Sequence, residues 1–364
     1  MQLLMINTKI HKNFKLNGIT FNSVEELLSY SKGLSPSINR LFKNWFDASK
    51  TIKVQTSGST GTPKSIALKK EYMINSAKAT GTFFNLNENT TALLCLSADY
   101  IAGKMMLIRA LTLGWHLDVI EASSNPLQGV DKTYDFSAMV PMQVYHSLTD
   151  LYKVRKLIVG GGAVDTNLLI KLQSVSTEIF ATYGMTETIT HIAVKRLNKF
   201  SLNESKSMHS VYKILPNVNI SIDTRKCLVI TAPKVSDEKI ITNDLVEIVS
   251  EKEFKWLGRV DNVINSGGVK LIPELIEEKL SEIILQRYFV IGVPDELLGE
   301  KLILIVEKGN SDITSSEIEN SILKLKSLQK FEIPKEIYFL KKFVDTETKK
   351  IQRQKTLDLI LNKL

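Results

Sequence analysis

Apolar and polar residues follow two different rhythms along this chain, and each rhythm predicts a different kind of element. Residues 36–48 carry apolar side chains at intervals of three and four, as a helix that faces a core does. Residues 51–55, with the sequence TIKVQ, alternate apolar and polar side chains, which is typical of a strand. The pattern therefore predicts a mixed α/β protein from its first elements onward.

Predicted helices and strands then alternate from residue 71 to residue 182. The predicted helices span residues 71–84, 102–113, 142–148 and 166–173, and the predicted strands span residues 91–97, 116–120, 136–140, 157–159 and 178–182. Such alternation indicates a mostly parallel sheet with helices on its faces. Short strands separated by turns follow from about residue 211, which predicts a small β-rich subdomain.

The pattern changes again near residue 258. Predicted helices at residues 273–284 and 314–328 are interleaved there with predicted strands at residues 288–293, 301–307 and 337–340. This arrangement predicts a compact α+β unit of the size of one small domain. We therefore predict two domains, one over residues 1–258 and one over residues 259–364.

Composition narrows the class of protein. A content of 43% hydrophobic and 24% charged residues is ordinary for a globular protein, and the start of the chain lacks the charge order of a signal peptide. We therefore expect a cytoplasmic protein without a membrane span. The net charge of +8 comes from scattered lysines without a basic block, which argues against a nucleic-acid partner. Cys95 and Cys227 lie in separate apolar runs and are expected to be reduced core residues.

The most informative stretch is TSGSTGTPK, from Thr56 to Lys64, directly after the predicted strand TIKVQ. Glycine lets the backbone approach a polyphosphate closely, and the lysine brings a point charge. The P-loop of nucleotide hydrolases requires a glycine before the lysine, but Pro63 stands at that place. A Ser/Gly-rich surface loop is the alternative that this stretch alone leaves open.

Three later segments carry candidate chemistry of their own. VGGGAV, residues 159–164, lets a flat ring lie against the backbone, although a tight turn between a strand and a helix explains it equally well. TYGMTET, residues 182–188, offers an aromatic face, a hydroxyl donor and a carboxylate for a hard cation. ITNDLV, residues 241–246, precedes WLGRVDNVINSGGVKLIP, residues 256–273, and on its own Asp244 is equally well a turn residue.

In this order, the segments resemble the motifs of the adenylate-forming superfamily, which contains acyl-CoA synthetases, luciferases and the adenylation domains of peptide synthetases. The resemblance extends from Thr51 to Arg353. It implies an α/β fold with a large amino-terminal domain of mostly parallel sheets and a small β subdomain, followed by a small, mobile α+β domain. Because the family usually has a longer segment before the phosphate loop, an amino-terminal truncation of the large domain is expected.

The resemblance also implies which residues contact ATP. The implied contacts are Thr56, Ser57, Gly58, Ser59, Thr60, Gly61, Lys64, Gly161, Gly162, Tyr183, Gly184, Asp244 and Arg259. Thr186 is implied to donate to the α-phosphate, and Glu187 is implied to bind Mg²⁺. Both count as catalytic residues in this interpretation.

The carboxy-terminal domain receives its roles in the same way. TETKKIQR, residues 346–353, stands where the family has its catalytic lysine, which implies Lys350 for that role. Lys349 replaces the glycine that precedes the lysine in the family pattern. Asp261 is implied as the hinge between the domains, and Gly267 and Gly268 are implied to pass close to CoA.

Within the superfamily, the segments LSADYIAGKMM, GMTETITHIAVKRLN and NSGGVKLIP are most similar to the o-succinylbenzoate–CoA ligases of menaquinone biosynthesis. The implied reaction forms an acyl-adenylate from the acid and ATP, and then a thioester with CoA. Candidates for the acid pocket are Asp99, Tyr100, Lys104, His191 and Arg196. The second carboxylate of this acid needs a cation, for which Lys104 or Arg196 is the candidate, with a helix-surface charge as the alternative.

Three other functions remain open at this point. The chain could activate another aryl or fatty acid, it could load its adenylate onto a carrier protein, or it could bind nucleotides without turnover. Addition of CoA separates the first two, and ATP–pyrophosphate exchange separates both from the third. The expected partner is a small carboxylic acid, and the sequence leaves a homodimer open.

Overall fold

The computed structural model describes residues 9–55, 65–200, 210–309, 314–346 and 350–361. The predicted phosphate loop, residues 56–64, and Lys349 lie outside the described residues, so their roles stay predictions. Contacts between Cα atoms divide the chain into two units. The first comprises residues 1–220, 230–240 and 249–253, and the second comprises residues 221–229, 241–248 and 254–364.

The described elements agree with most of the predicted ones in kind and order. The helices are α1 (Val24–Ser31), α2 (Pro36–Phe46), α3 (Lys70–Phe84), α4 (Ile101–Leu113), α5 (Pro141–His146), α6 (Thr166–Leu172), α7 (Pro273–Leu280), α8 (Ser315–Lys324) and α9 (Arg353–Leu361). The first ten strands are β1 (Lys15–Leu16), β2 (Thr51–Gln55), β3 (Ser65–Lys69), β4 (Thr91–Leu94), β5 (His116–Val119), β6 (Tyr134–Met139), β7 (Val154–Val159), β8 (Glu178–Gly184), β9 (His191–Arg196) and β10 (Val211–Ile214). The remaining strands are β11 (Asn219–Ile222), β12 (Cys227–Thr231), β13 (Ile240–Ser250), β14 (Glu253–Arg259), β15 (Ile264–Ser266), β16 (Val269–Leu271), β17 (Tyr288–Asp295), β18 (Gly299–Glu307) and β19 (Glu336–Leu340).

The first unit is built on a sheet with the strand order β1-β5-β4-β6-β7-β8-β9-β10. Neighbours from β1 to β8 are parallel, whereas β9 is antiparallel to both β8 and β10. The prediction of a mostly parallel sheet is thus confirmed. Since parallel strands end at the same edge, the residues that follow β7 and β8 are neighbours in space.

A separate hairpin of β2 and β3 flanks the predicted phosphate loop. Gln55 pairs with Ser65, so the two ends of that loop are held side by side. At the other end of the hairpin, the buried ammonium of Lys70 donates to the backbone carbonyl of Asp47 at 3.0 Å and to its carboxylate at 2.9 Å. The predicted strand at residues 51–55 is confirmed, and its base is tied to the end of α2.

The two cysteines lie in the core, as expected. Cys95 and Cys227 are both buried and unpaired. Burial raises the pKa of the Cys95 thiol to about 12, so this thiol is unreactive at neutral pH. In the described part of the chain, every helix is too short or too polar to cross a bilayer.

The second unit contains two groups of strands. Strands β14, β13, β12 and β11 are neighbours in that order. The α+β part has the order β16-β15-β18-β17, with β19 parallel to β18. Apolar residues of α7 and α8 pack on one side of this sheet, and Leu357 and Ile360 of α9 pack on a cluster with Phe289 and Phe343.

Several elements differ from the sequence expectations. Strand β9 was not predicted, because its residues follow a motif that was interpreted only for its chemistry. Helix α9 was not predicted either, and its apolar residues Leu357 and Ile360 are buried against a cluster with Phe289 and Phe343. Residues 264–271 form a β15–β16 hairpin with Gly267 and Gly268 at its turn, where a glycine-rich loop was expected.

Candidate active site

Two of the predicted nucleotide motifs meet at the ends of β7 and β8. Val159 pairs with Ala181, and the hydroxyl of Thr182 donates to the carbonyl oxygen of Val159 at 3.1 Å. A Cβ on Gly160 would lie 2.6 Å from that hydroxyl oxygen, so the glycine allows the strand ends to approach. The structure therefore brings Gly161 and Gly162 close to Tyr183, while their contacts with adenine stay predictions.

Gly184 ends β8 at a very close approach of two backbones. A Cβ at this position would lie 2.3 Å from the carbonyl oxygen of Thr190 and 2.6 Å from the Cα atom of His191. Both neighbours are backbone atoms, which cannot move aside as a flexible side chain can. Only glycine fits here, because a residue without a side chain lets the backbones on the two sides of the turn between β8 and β9 come this close.

The turn itself is held by one threonine hydroxyl. Thr188 is buried, and its hydroxyl oxygen accepts the N–H of Met185 at 3.0 Å. The single hydroxyl proton faces the carbonyl oxygens of Met185, at 2.9 Å, and Thr190, at 2.7 Å. One side chain thus ties three backbone groups of the turn together, without using any charge.

Ile189 stores strain in the same turn. Its backbone has φ +67° and ψ −59°, and the N–H of Thr190 donates to the carbonyl oxygen of Thr188 at 2.8 Å. This is the rare form of the γ-turn, a turn of three residues. A β-branched residue in this region of backbone conformation carries a strain of about 1–3 kcal/mol. The buried side chain of Ile189, at 1% exposure, keeps the turn in place.

The turn leaves Glu187 exposed and Thr186 half-buried. Thr186–Thr188 is a single 3₁₀ turn, and Glu187 is exposed whereas Thr188 is buried. Within the described residues no cluster of three or more acidic, His or Cys side chains could hold a metal ion. The role of Glu187 as a magnesium ligand stays a prediction.

A buried cation lies beneath this turn, and the sequence interpretation missed it. Arg109 of α4 is 1% exposed, and its guanidinium contacts Thr80 at 3.4 Å, Thr190 at 3.4 Å and the sulfur of Met106 at 3.7 Å. Burial lowers the pKa of Arg109 to about 9, and no described carboxylate offsets that shift. A charged residue within the otherwise apolar run MMLIRALTL was the available indication.

His191, a predicted acid-pocket residue, belongs to the same cluster. Its ring nitrogens lie 3.4 Å from the hydroxyl of Thr80 and 3.3 Å from the hydroxyl of Thr190. Burial, with a further contribution from Arg109, lowers the pKa of His191 well below its usual value, so the ring is neutral at pH 7. His191 and Thr188 also line a small pocket beside α3.

Among the other acid-pocket candidates, the three charged side chains, Asp99, Lys104 and Arg196, already have protein partners. Asp99 pairs with Arg40 at 2.8 Å, and the exposed Tyr100 directly precedes α4. The ammonium of Lys104 donates to the carbonyl oxygens of Ala98 and Asp99 at 2.7 and 2.5 Å, and burial lowers its pKa.

Arg196 pairs with Glu178 at 3.6 Å and lies over the ring of Phe180. Like Lys104, it therefore has an evident structural role in the first unit. The proposed contacts of both cations with the acid stay predictions.

In the second unit, the residues of the fourth motif converge. One carboxylate oxygen of Asp244 accepts the indole N–H of Trp256 at 3.1 Å and lies 3.8 Å from the guanidinium of Arg259. The carboxylate of Asp261 accepts a hydrogen bond from the guanidinium of Arg259 at 2.5 Å and one from the side-chain amide of Asn243 at 3.1 Å. Asp261 lies inside the second unit, and its role as a hinge stays a prediction.

The glycines of the β15–β16 turn adopt conformations that favour glycine. Gly267 has φ +57° and Gly268 has φ +81°, and the N–H of Gly267 donates to the carbonyl oxygen of Leu298 at 2.8 Å. Their proximity to CoA stays a prediction. Lys350 is exposed, and its N–H donates to the hydroxyl of Thr346 at 3.0 Å.

Comparison with known proteins identifies the family. The family profile described as AMP-binding enzyme matches residues 54–230. A solved structure described as an acyl-CoA synthetase (AMP-forming)/AMP-acid ligase II-like protein from Dyadobacter fermentans is 34% identical to this chain. The match covers 92% of this chain and 98% of that chain, with a TM-score of 0.60.

More distant relatives share the fold. The 2-succinylbenzoate–CoA ligase of Staphylococcus epidermidis is 24% identical, over 84% of this chain and 69% of its own length. The o-succinylbenzoate CoA synthetase of Bacillus subtilis, in complex with ATP and magnesium ion, is 19% identical with a TM-score of 0.71, over 94% of this chain and 83% of that chain. The chain therefore belongs to the AMP-binding enzymes, the family of AMP-forming acyl-CoA synthetases and AMP-acid ligases.

Proposed function

We propose that this chain is an ATP-dependent acid–CoA ligase that acts on o-succinylbenzoate in menaquinone biosynthesis, in the cytoplasm. A carboxylate of the acid attacks the α-phosphate of ATP, which gives an acyl-adenylate and releases pyrophosphate. The thiolate of CoA then displaces AMP and forms the thioester. The observation that carries the proposal is the rigid turn at residues 184–190, which presents Thr186 and Glu187 beside the glycine turn after β7.

Each half of the reaction makes different demands on the protein. In the first half, the protein must position the acid and offset the charge that develops on phosphate oxygens. The hydroxyls of residues 56–60 and Lys64 hold the β- and γ-phosphates, Thr186 donates to the α-phosphate, and Lys350 meets the attacking carboxylate. When bound at Glu187, Mg²⁺ neutralises phosphate charge.

Residues of several motifs serve nucleotide recognition. Tyr183, near the end of β8, stacks on adenine, and Asp244 accepts from the ribose hydroxyls. Arg259 meets ribose or phosphate. Because Lys350 and CoA use the same reacting centre in turn, the small carboxy-terminal domain rotates about Asp261 between the two half-reactions.

Arg109 provides the argument for a substrate with two carboxylates. Burying a guanidinium costs several kcal/mol unless a carboxylate and good hydrogen bonds compensate, and here the partners are neutral and distant. A second carboxylate of the acid, entering near Thr190 and the neutral His191, would supply the missing charge-assisted pair. We therefore add Arg109 to Lys104 and Arg196 as a candidate for this role.

The first experiment tests the reaction class. ATP–pyrophosphate exchange is measured with o-succinylbenzoate, benzoate and a medium-chain fatty acid, and thioester formation is measured after addition of CoA. We expect exchange with o-succinylbenzoate above the other acids, followed by thioester. Exchange without thioester would indicate a carrier-protein acceptor, exchange with another acid only would exclude o-succinylbenzoate, and no exchange would contradict the proposal.

The second experiment tests the acid pocket. Arg109→Met keeps the volume of the side chain and removes the buried charge, so we expect unchanged or higher stability. The KM for o-succinylbenzoate should rise about ten- to a hundredfold with the KM for benzoate unchanged, as loss of a charge-assisted hydrogen bond implies. Lys104→Ala and Arg196→Ala are the comparison variants. A similar loss on both acids in Arg109→Met would assign Arg109 to the fold alone.

A further inference from the structure

The segment that carries Lys350 begins and ends at an arginine–carboxylate pair. At its start, the guanidinium of Arg287 binds both carboxylate oxygens of Asp345, at 2.6 and 3.1 Å. At its end, the guanidinium of Arg353 binds a carboxylate oxygen of Glu277 at 2.8 Å. Arg287 directly precedes β17 and Glu277 lies in α7, whereas Asp345 and Arg353 lie at the two ends of the lysine segment. One pair therefore joins the segment to the start of β17, and the other joins it to α7.

The backbone between these pairs is also ordered at the described residues. Asp345 and Ile351 form an isolated β-bridge, and the N–H of Thr346 donates to the carbonyl oxygen of Lys350 at 2.8 Å. The N–H of Lys350 donates in turn to the hydroxyl oxygen of Thr346 at 3.0 Å. The main chain of Lys350 is therefore fixed while the residue itself is exposed.

Both pairs are better sheltered than ordinary surface ion pairs. The carboxylates of Asp345 and Glu277 are only 14% and 18% exposed. Arg353 also donates to the carbonyl oxygen of Val290 at 3.2 Å and lies over the ring of Phe289. Such shielded, hydrogen-bonded pairs define a geometry that exposed pairs do not.

The first pair extends into a small network. Arg287 also reaches Glu307 at 3.2 Å, and Glu307 accepts the N–H of Phe343 at 2.7 Å. The apolar cluster of α9 with Phe289 and Phe343 already attaches this end of the chain to the sheet. The ion pairs are thus additional to the contacts that hold α9, and they act on the ends of the lysine segment.

We propose that Arg287–Asp345 and Arg353–Glu277 are two clamps that hold the ends of the lysine segment and so position Lys350 for adenylation. All four are positioning residues, because they act through the backbone of Lys350 and not on the reacting atoms. The inference rests on the proposed function of Lys350. A displacement of about 1 Å in such a group lowers a rate by roughly a hundredfold, so a fixed backbone matters for a long, flexible lysine side chain.

The test compares the two half-reactions in Arg287→Met and Arg353→Met. Lys279→Met is the matched control, because Lys279 pairs with Glu332 at 2.6 Å in the same unit, with similar exposure, and Glu332 does not belong to the lysine segment. We expect kcat for adenylation of o-succinylbenzoate to fall about ten- to a hundredfold in the two arginine variants. Thioester formation from supplied acyl-adenylate should stay within about twofold, and the control should keep both rates, since neither depends on the clamps.

Conservative variants sharpen this test. Arg353→Lys should recover most of the adenylation rate, because Glu277 receives a single bond that an ammonium can also make. Arg287→Lys should recover less, because Asp345 is bound through two oxygens. Hydrogen exchange of the Lys350 and Gln352 amides should quicken in both methionine variants, which measures the clamps without any turnover.

The outcomes separate the clamps from the proposed function. An inactive wild-type protein with every acid refutes the proposed function, whatever the exchange of the amides shows. An active wild type with unchanged adenylation in both methionine variants overturns the clamps. Equal loss of both half-reactions, together with a lower melting temperature, also overturns them, because it indicates that the pairs serve only the fold.

Discussion

The turn at residues 184–190 and the segment at residues 345–351 present reactive groups by opposite means. The turn is held by buried, uncharged groups: it depends on one threonine hydroxyl, a glycine without room for a side chain and a strained isoleucine. The lysine segment is held by charged pairs that are partly exposed to water. A buried neutral network resists salt and pH, whereas charged clamps respond to both.

This difference matches the proposed reaction. Thr186 and Glu187 are proposed to act on the nucleotide phosphate and its metal ion, so a rigid turn suits them. Lys350 is proposed to serve adenylation only and then to leave, so its segment must be firm within a unit that moves. Substitutions in the turn should therefore have effects that do not depend on salt or pH, whereas substitutions in the lysine segment should have effects that do.

The largest effect is expected at Gly184. In Gly184→Ala the added Cβ meets backbone atoms at 2.3 and 2.6 Å, so β8 and β9 must separate. We expect a loss of about 3 kcal/mol in the free energy of unfolding and of more than about a hundredfold in adenylation, because overpacking shifts the backbone. Denaturant unfolding measures the free energy of unfolding, and ATP–pyrophosphate exchange measures adenylation.

Gly33→Ala is the control for this substitution. There a Cβ would meet its nearest atom, the carbonyl oxygen of Tyr30, at an ordinary 3.5 Å. Its stability should change by less than about 0.5 kcal/mol, as expected for a surface substitution. A Gly184→Ala protein with the stability and adenylation rate of the wild type would show that the backbone of the turn can move to accommodate the added Cβ.

A medium effect is expected at Thr188. Thr188→Val keeps the shape of the side chain and removes the hydroxyl that joins Met185 and Thr190. We expect a loss of about 1–3 kcal/mol in stability, because buried backbone groups lose their partner. Adenylation should fall as well, with the same ratio to wild type at low and at high salt.

Thr90→Val is the matched control, because the buried Thr90 donates one hydrogen bond, to the carbonyl oxygen of Asn87, at 2.7 Å. It should lose stability without losing adenylation relative to folded protein. A ratio for Thr188→Val that changes with salt would remove the contrast between the two regions.

The smallest effect concerns pH and Glu277. Burial raises the pKa of Glu277 to about 7, against the opposing charge of Arg353 and with a minor contribution from Glu274, while Tyr288 lies beside it. In the unfolded chain the carboxyl titrates near its usual value, so between that pH and about 7 the folded protein holds the extra proton. The stability that this proton contributes is complete at low pH and is lost as the pH rises through 7.

The comparison variant is Glu277→Gln, which does not titrate. From pH 5 to pH 8 we expect the wild type to lose about 2–3 kcal/mol of stability relative to this variant, as the linkage of one raised carboxyl implies. Unfolding curves at several pH values give the difference. A difference that stays constant or grows with pH would show that the carboxylate is ionised throughout, and that its charge and not its proton stabilises the fold.

The sequence predicted the parts of the molecule that depend on local pattern. The alternation from residue 71 to residue 182 gave the parallel strands, and shared strand ends brought the glycine turn beside Tyr183. Burial of Arg109 depends on how α4 packs against the turn after β8, which periodicity does not reveal. The clamps were out of reach for the same reason, because Glu277 and Arg353 are 76 residues apart in the chain.

The unusual backbone of Ile189 has a consequence for the unfolded chain. A strain of about 1–3 kcal/mol makes this conformation roughly 5- to 150-fold rarer than its alternatives wherever the sheet is absent. A nucleotide that contacts Thr186 and Glu187, as proposed, should therefore bind the folded protein and hardly bind the unfolded chain. Its concentration should raise the melting temperature logarithmically, so thermal shift with ATP measures whether this turn has formed.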